Sequence, residues 1–358
     1  MKVGIFHTAF LGDIALASLL IEALYREKHE VFLITKKMAS LLYKDDYRLK
    51  GCIIADKKKG IEKVKSIYNI AKQIDALNLD VLLVPHKSYT TALISLLTKV
   101  PKKVAYNDTS FKMPFTHFQE FKKDLHECLR CLYIAPDWLV NKETMSQVEK
   151  IARPILISNN KLDLFLSKNP NYFNESIPFF IVSPGSVWPT KKYPAVQFAK
   201  AIFLLLNKNK NIKCIVSGTI DDQKDINEIF NFFSPFPELA NRIIDTSSYL
   251  PLNEFMALVS KSSFVIANDS SPIHIASGFN IPVVAIFGPT TWKFGFFPTS
   301  EKSVTLTYKD QYGNNLSCHP CSPHGSKECP KKHFRCMREL SPDLLVESVE
   351  KIVPQFFE

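Results

Sequence analysis

The chain has 358 residues, of which 46% are apolar and 22% charged, a composition typical of a globular protein with a sizeable core. Two domains are expected at this length, because a single hydrophobic core rarely keeps growing beyond about 250–300 residues. The net charge is +10, and no apolar run approaches the roughly 18 residues that a membrane-spanning helix needs. Disordered, collagen-like, coiled-coil and membrane-spanning classes are therefore excluded.

The N-terminal half alternates short apolar runs with helical patterns. The residues from Lys2 onward lack the apolar segment and cleavage site of an export signal, so we expect a cytoplasmic protein. Strands that alternate with helices in this way predict a parallel sheet covered on both faces. The predicted strands are Val3–Phe6, Val31–Thr35, Cys52–Ala55, Val81–Val84 and Lys103–Tyr106. The predicted helices are Ile14–Tyr25, Ile61–Leu77, Asp124–Ile134 and Lys142–Ile151.

The same alternation restarts after Asn169–Ser176, a polar stretch with the turn-forming residues of a linker. The second half therefore predicts a second doubly wound α/β unit, closed by an amphipathic helix over Pro342–Phe357. Its predicted strands are Phe179–Ser183, Ile212–Ser217, Ile243–Asp245, Phe264–Asn268 and Val283–Phe287. Its other predicted helices are Pro194–Leu206, Asp222–Phe233, Leu252–Ser260 and Pro272–Gly278.

The positive charge is concentrated in the first half of the chain. Residues 1–170 carry 27 lysines and arginines against 18 acidic residues, whereas the remainder carries 18 against 17. This asymmetry favours contact with nucleic acid, an acidic membrane surface or a phosphorylated sugar, although lysine-rich helix faces in solvent explain it as well. No arginine-rich tract or interleaved aromatic motif supports nucleic acid, which is not expected as a partner.

Three loops of the second half follow strand ends, where open α/β sheets bind their ligands. Residues 183–194 contain the hydroxyl of Thr190 and the cation of Lys191. Residues 217–222 end in carboxylates suited to ribose hydroxyls, although Asp222 could equally cap the next helix. Residues 268–274 open a helix at Ser270 and Ser271, either as an ordinary serine cap or as an anion site.

The three loops together favour a nucleotide diphosphate as the ligand. No G-x-G-x-x-G sequence follows a predicted strand, which disfavours a dinucleotide-dependent oxidoreductase, and no Walker A sequence is present. In the first half, the loop over residues 7–13 ends at Asp13, where the first helix begins. This carboxylate is either a helix cap or a general base that faces a cleft, and the sequence leaves both roles open.

Four of the eight cysteines crowd near the C-terminus as Cys318-x2-Cys321-x7-Cys329-x6-Cys336. Four thiolates could hold a structural zinc ion, with nearby histidines as competing ligands. The last spacing is looser than in a zinc ribbon, so packed free thiols or an incidental disulfide are favoured. No metal ion or cofactor is predicted.

Taken together, these residues resemble the lipopolysaccharide heptosyltransferases of glycosyltransferase family 9 over nearly the whole chain. The motifs that carry the resemblance are Leu11-Gly12-Asp13, Pro184-Gly185-Ser186, Trp188-Pro189-Thr190-Lys191-Lys192-Tyr193-Pro194, Asp269-Ser270-Ser271-Pro272-Ile273-His274-Ile275-Ala276, Phe287-Gly288-Pro289-Thr290 and the cysteine-rich tail. The resemblance implies the GT-B architecture, in which two Rossmann-like domains face a central cleft. The expected divisions are an acceptor domain over 1–170, a nucleotide-sugar domain over 177–340, and a helix over 341–358 for which packing on the acceptor domain is one option.

The resemblance also implies an activity. The donor would be ADP-L-glycero-D-manno-heptose and the acceptor the inner core of lipopolysaccharide, at the inner face of the cytoplasmic membrane. The transfer would invert the anomeric configuration without a metal. Asp13 corresponds to the general base and Lys191 to the phosphate-contacting lysine, with Thr190 nearby. The other implied donor-site residues are Asp222 at the ribose, Leu250 near the adenine, and Asp269, Ser270, Ser271 and His274 around the diphosphate and sugar.

Other functions remain open at this point. A related transferase could use another nucleotide sugar, and a nucleotide-sugar epimerase could share the architecture. The epimerase would need several acid and base residues in its cleft, which the sequence does not identify. A catalytically silent binding protein is a third option, and the presence of Asp13 weakens it.

Overall fold

The chain divides into two compact units, unit 1 over Met1–Ile157 and unit 2 over Ser158–Glu358. The computed structural model describes residues 1–56, 60, 62–159, 161–170 and 177–357. The division falls before the boundary expected near residue 170, because the segment after Ser158 contacts unit 2. There, the backbone N–H groups of Leu164 and Phe165 donate to the Glu254 carboxylate over 3.0 and 2.8 Å. Residues 171–176 of the predicted linker lie outside the described residues.

Unit 1 is built on a parallel sheet of six strands. The strands are β1 (Lys2–Phe6), β2 (Glu30–Thr35), β3 (Leu49–Ile54), β4 (Val81–Val84), β5 (Lys102–Tyr106) and β6 (His117–Gln119). Their order is β3-β2-β1-β4-β5-β6, the Rossmann order, with Val3 of β1 paired to Val31 on one side and Val81 on the other. The strand order reverses between β1 and β4, so the crevice of this sheet lies at their carboxyl ends.

Helices pack around this sheet in the described part of unit 1. They are α1 (Leu11–Leu16), α2 (Ser18–Arg26), α3 (Lys37–Ser40), α4 (Glu62–Ala76), α5 (Tyr89–Leu97), α6 (Glu127–Leu132) and α7 (Lys142–Glu149), with a 3-10 turn at Leu41–Tyr43. The single helix predicted from Ile14 is instead two helices, α1 and α2, which meet at Ala17. The hydroxyl of Ser18 donates to the Ala15 carbonyl at this junction over 2.7 Å.

Unit 2 repeats the same topology. Its strands are β7 (Phe179–Ser183), β8 (Lys213–Val216), β9 (Ile243–Asp245), β10 (Val265–Asn268), β11 (Val283–Ile286) and β12 (Ser303–Leu306). Their order is β12-β11-β10-β7-β8-β9, again all parallel, and it reverses between β7 and β10. The prediction of an α/β fold with two doubly wound units is confirmed, although the edge strands β6 and β12 were not predicted.

The helices of unit 2 pack on both faces of its sheet. They are α8 (Asp163–Lys168), α9 (Ala195–Lys208), α10 (Gln223–Phe232), α11 (Pro237–Ala240), α12 (Leu252–Lys261), α13 (Ser271–Gly278), α14 (Arg335–Arg338) and α15 (Pro342–Ile352). The closing helix α15 contacts α9, β11 and β12, and its buried Leu345 and Val349 join the core of unit 2. Among the described residues, no helix combines the length and apolar content that a bilayer crossing requires.

Candidate functional site

A buried asparagine joins the two central strands of unit 2 at its switch point. Asn268, the last residue of β10, is fully buried, and its amide nitrogen donates to the Pro184 carbonyl over 2.7 Å. Its amide oxygen accepts from the backbone N–H of Tyr193 over 3.0 Å. Both partners belong to the loop after β7, so Asn268 fixes this loop against the end of β10. The loop is thereby held where a ligand of a doubly wound sheet binds.

Lys191 lies in a short 3-10 turn of this loop and forms an ion pair beside α13. Its Nζ is 2.6 Å from Oδ2 of Asp269, and the same oxygen accepts from the hydroxyl of Thr290 over 2.7 Å. Asp269 and Thr290 are both buried. Because Asp269 directly precedes Ser270, its carboxylate holds the Lys191 ammonium near the start of α13. The ammonium and the N–H groups of the helix start are two positive features suited to one anion.

The adjacent lysine pairs with a different loop. Nζ of Lys192 is 3.0 Å from Oδ1 of Asp222 and 2.8 Å from Oδ2 of Asp225. Burial opposes the charge of Lys192, but the bonds from Asp225 and Asp222 outweigh it and raise the pKa of the lysine. Consecutive lysines thus pair with carboxylates of the loops after β8 and β10. These two ion pairs bring the three predicted loops together at one edge of the sheet.

Asp222 is engaged on both carboxylate oxygens. Oδ2 accepts from the backbone N–H and the hydroxyl of Thr219 over 3.1 and 3.0 Å, while Oδ1 accepts from Lys192. Asp222 therefore takes part in a capping box at the 3-10 turn Ile220–Asp222, whereas its side chain makes no capping bond to the following helix α10. Gly185 lies directly against this carboxylate, and a Cβ at that position would collide with it. The close approach of the two loops depends on a glycine there.

Thr190 is buried and anchors the cysteine-rich segment rather than facing solvent. Its hydroxyl donates to the Ser326 carbonyl over 2.9 Å and accepts from the Ser326 backbone N–H over 2.8 Å. Gly325, at φ 93°, passes so close to Trp188 that a side chain would not fit. The segment after β12 thereby supports the loop that carries Lys191.

The remaining predicted donor residues lie at the same edge of unit 2. Ser270 is the N-cap of α13 and its hydroxyl donates to the Asn268 carbonyl over 3.2 Å, and Ser271 is the first residue of the helix. His274 is buried in α13, with its ring 6.4 Å from that of Phe296. Leu250 is half-buried between β9 and α12, and its backbone N–H donates to the Thr246 carbonyl.

Asp13 is the third residue of α1, at the carboxyl edge of the sheet in unit 1. Its Oδ2 accepts from the backbone N–H of Phe10 over 2.9 Å, so the carboxylate stabilises the helix start. The preceding His7 is buried and stacks on His86 at 5.8 Å between ring centroids. Burial lowers the pKa of His7 to about 3, with further contributions from His86 and Lys36, so this imidazole is neutral.

Glu127, the first residue of α6, is a further carboxyl group near Asp13 that sequence analysis missed. Its Oε2 is 2.8 Å from Nε of Arg130, and its Oε1 accepts weakly from the Cys131 thiol. Burial, with a further contribution from the charge of Asp13, raises the pKa of Glu127 to about 7 despite the charge of Arg130. No motif indicated that Glu127 and Asp13 are neighbours, because α1 and α6 meet only through the tertiary fold.

The cysteine-rich segment contains half-buried free thiols rather than a disulfide. Cys318, Cys321, Cys329 and Cys336 are all unbonded to each other, and Sγ of Cys318 is 3.8 Å from Nε2 of His333. Burial raises the pKa of Cys321, and raises that of Cys336 to about 12. Within the described ranges, no three histidine, cysteine, aspartate or glutamate side chains are placed to hold a metal ion.

Comparisons with known proteins cover nearly the whole chain. The model of glycosyltransferase family 9 (heptosyltransferase) matches residues 67–335, which include the three loops of unit 2 and exclude Asp13. Lipooligosaccharide heptosyltransferase 2 of Campylobacter jejuni subsp. jejuni is 23% identical, over 98% of this chain and 99% of the relative.

Two solved structures share the fold over nearly their full lengths. E. coli ADP-heptose lps heptosyltransferase II matches with a TM-score of 0.78 at 16% identity, over 99% of both chains. E. coli heptosyltransferase WaaC with ADP matches with a TM-score of 0.70 at 12% identity, over 98% of this chain and 99% of that one. At these identities the likeness establishes the two-unit GT-B fold.

Proposed function

The chain belongs to glycosyltransferase family 9, and from that premise we propose that it transfers heptose from ADP-L-glycero-D-manno-heptose to the inner core of lipopolysaccharide. The resemblance predicted from its motifs is confirmed, and the protein is a glycosyltransferase. The proposal adds the donor, the acceptor, inversion of the anomeric carbon and independence from metal ions. It also adds a cytoplasmic location with peripheral contact at the inner face of the membrane.

The observation that carries the proposal is the position of Lys191. This lysine, paired with Asp269 beside the start of α13, supports binding of the donor diphosphate. In the proposed reaction an acceptor hydroxyl attacks the anomeric carbon, the bond to the diphosphate breaks, and negative charge grows on ADP. Lys191 and the N–H groups that open α13 at Ser271 stabilise that charge. They supply the positive charge that a divalent metal supplies in other transferases.

The nucleoside has a proposed site on the other side of the same loop. Asp222 accepts three hydrogen bonds from described groups, and a carboxylate has about four acceptor sites. One ribose hydroxyl therefore fits its remaining capacity. Leu250 is proposed at the adenine, and Asp269, Ser270 and His274 at the sugar and diphosphate. Thr190 contributes by holding its loop to Ser326, not by donating its hydroxyl to the ligand.

On the acceptor side we assign proton removal to Asp13. The acceptor hydroxyl becomes a better nucleophile when a carboxylate takes its proton in the transition state. The proposed acceptor carries phosphate, and unit 1 has 25 lysines and arginines against 17 acidic residues over 1–157. That surplus supports an anionic acceptor bound by unit 1 and an anionic membrane surface nearby.

The donor assignment is tested by calorimetric titration with ADP, UDP and ADP-heptose. Wild type is expected to bind ADP and ADP-heptose more tightly than UDP. The substitution Lys191→Met is expected to weaken ADP binding by about 10- to 100-fold, since it removes a charge-assisted contact to phosphate. Lys200→Met, an exposed lysine on α9, is the matched control and should bind as wild type does. Equal affinity for ADP and UDP, or unchanged binding by Lys191→Met, would refute the assignment.

A further inference from the structure

Helix α5 of unit 1 has an apolar face that lies open to solvent. Four residues form it, and their exposed fractions are 69% for Tyr89, 42% for Leu93, 39% for Leu96 and 49% for Leu97. Their spacing of four, three and one residues places them on one side of the helix. The buried residues Thr91, Ala92, Ile94 and Ser95 attach the other side to unit 1. We call the exposed set the α5 face.

The composition of α5 is unusual for a helix at a protein surface. None of its nine residues is charged, whereas an ordinary surface helix presents charged side chains to water. The neighbouring α4 follows the ordinary pattern and exposes Lys63, Lys65 and Lys72. Clustered apolar side chains at a surface mark a place where another apolar body binds. The α5 face therefore has the character of an interaction surface.

The charge around the α5 face indicates what binds there. Lys87 precedes the helix and is ion-paired with Asp108 at 2.6 Å, while Lys99 and Lys102 follow the helix, and all three lysines are exposed. A second copy of the chain packed symmetrically on this face would bring like charges together. The headgroups of an anionic bilayer would instead attract the lysines while its acyl region accepts the leucines, with Tyr89 suited to the boundary.

The α5 face is also connected to the acceptor side of the proposed reaction. α5 follows β4 and α1 follows β1, which are neighbouring parallel strands, so both helices begin at the same edge of the sheet. The hydroxyl of Thr8, in the loop before Asp13, is 3.4 Å from the hydroxyl of Thr91 on α5. Helix α5 therefore lies between a bilayer bound at the α5 face and the loop that leads to Asp13.

We propose that the α5 face docks unit 1 on an anionic lipid bilayer. This inference rests on the proposed function, because a lipid-linked acceptor is what makes a docked enzyme productive. The face and its lysines together give the two contributions, apolar insertion and electrostatic attraction, that a peripheral protein combines for stable binding. Docking orients the carboxyl edge of the unit 1 sheet relative to the membrane surface.

Co-sedimentation with vesicles tests the docking. Wild type is expected to sediment with vesicles of phosphatidylethanolamine and phosphatidylglycerol, and about tenfold less with phosphatidylcholine alone. The double variant Leu96→Glu/Leu97→Glu should lose at least about tenfold of the binding to anionic vesicles, because the new carboxylates oppose insertion of the face and are repelled by the anionic headgroups. Leu344→Glu is the matched control, since Leu344 is 44% exposed on α15 of unit 2, and it should sediment like wild type.

Two further measurements keep the outcome unambiguous. Circular dichroism melts check that the variants fold. If the double variant unfolds, the milder Leu93→Gln replaces it, and we expect this substitution to weaken sedimentation with vesicles about threefold. Sedimentation velocity should find the same monomer for wild type and variants. The proposal would be overturned if the double variant or Leu93→Gln sediments with vesicles as wild type does. It would also be overturned if wild type is a dimer that the substitutions dissociate.

Heptose transfer to a delipidated core oligosaccharide separates this inference from the proposed function. The double variant should transfer to this water-soluble acceptor at the wild-type rate and lose rate only on acceptor embedded in anionic vesicles. If wild type binds vesicles but transfers to neither acceptor, the proposed function fails while docking stands. If it transfers to both and binds no vesicles, docking fails alone.

Discussion

Asp13 combines a structural contact with the proposed chemical role. Its Oδ2 accepts from the Phe10 backbone N–H, a bond that the amide oxygen of asparagine can also accept. Asp13→Asn should therefore keep the start of α1 and the fold, yet it removes the proton acceptor. We expect kcat for ADP release to fall by about 10²- to 10⁴-fold with little change in donor affinity.

The measurement for Asp13 is steady-state ADP release with donor and acceptor both saturating. Asp45→Asn, an exposed carboxylate in the same unit, is the control and should turn over like wild type. A turnover of Asp13→Asn within a few-fold of wild type would remove Asp13 from the proposed role.

Glu127 predicts a pH dependence of stability. Its pKa is about 7 in the folded protein, above its ordinary value of 4.5. Between these values the folded protein keeps a proton that the unfolded chain has released. This group therefore lowers the free energy of unfolding as pH rises through the window, by up to about 1.4 kcal/mol per pH unit. This loss of stability is absent below pH 4.5 and complete above about pH 7.

Glu127→Gln removes this titration and leaves an oxygen that can accept from Arg130. The free energy of unfolding of the variant, relative to wild type, should therefore rise between pH 5 and about pH 7.5. Urea unfolding at several pH values measures this difference. The lowered pKa of His7 makes stability rise with pH instead, but this effect is the same in wild type and variant and cancels from the difference. A difference that does not change with pH would contradict the raised pKa.

Sequence analysis identified the loops of the site better than the bonds within them. Lys191 was predicted in the donor site from its place after a strand end and Asp269 from the family resemblance, but their mutual ion pair was not predicted. The pairing of Lys192 with Asp222 was missed for the same reason, since residues from separate loops meet only when the sheet is assembled. Glu127 was missed because its raised pKa is a consequence of burial, which no local motif encodes.

At the scale of elements, Asn268 joins β10 to the loop after β7. Asn268→Ala deletes its bonds to the Pro184 carbonyl and the Tyr193 N–H, both inside unit 2. We expect a loss of about 1–3 kcal/mol in the free energy of unfolding, because buried polar groups lose their partners, and weaker ADP binding because the Lys191 loop is released. Urea unfolding and ADP titration measure the two effects.

The control for Asn268 is Asn231→Ala, at an exposed position of α10. It should change the free energy of unfolding by less than about 0.5 kcal/mol and leave ADP affinity unaltered. Wild-type stability and ADP affinity in Asn268→Ala would show that the loop is held by its other contacts. The role assigned to Asn268 at the switch point would then be wrong.

The central strands were predictable because they are continuous apolar runs. β4 and β7, which lie inside their sheets, have the predicted bounds, and so does the edge strand β9. The edge strands β6 and β12 are only partly buried and lack that signal, so they were missed. Helix α5 was also missed, because its apolar residues occupy both the buried and the exposed side and obscure the helical period.

At the scale of the whole molecule, the chain presents the same doubly wound topology twice with different chemistry. Unit 2 contains the paired lysines and the three loops that the family model covers, which supports its assignment to the donor. Unit 1 contains Asp13, the α5 face and most of the positive charge, which supports its assignment to a lipid-linked anionic acceptor. The repeated sheet has two switch points, one in each unit.

The most direct test of this account is heptose transfer by the purified protein. ADP-L-glycero-D-manno-heptose is incubated with heptose-deficient lipopolysaccharide core in the presence of a metal chelator, and ADP release and acceptor mass are followed together. The account predicts stoichiometric ADP release and an acceptor heavier by one heptose, undiminished by the chelator. Absence of transfer to every acceptor ending in Kdo or heptose would contradict it.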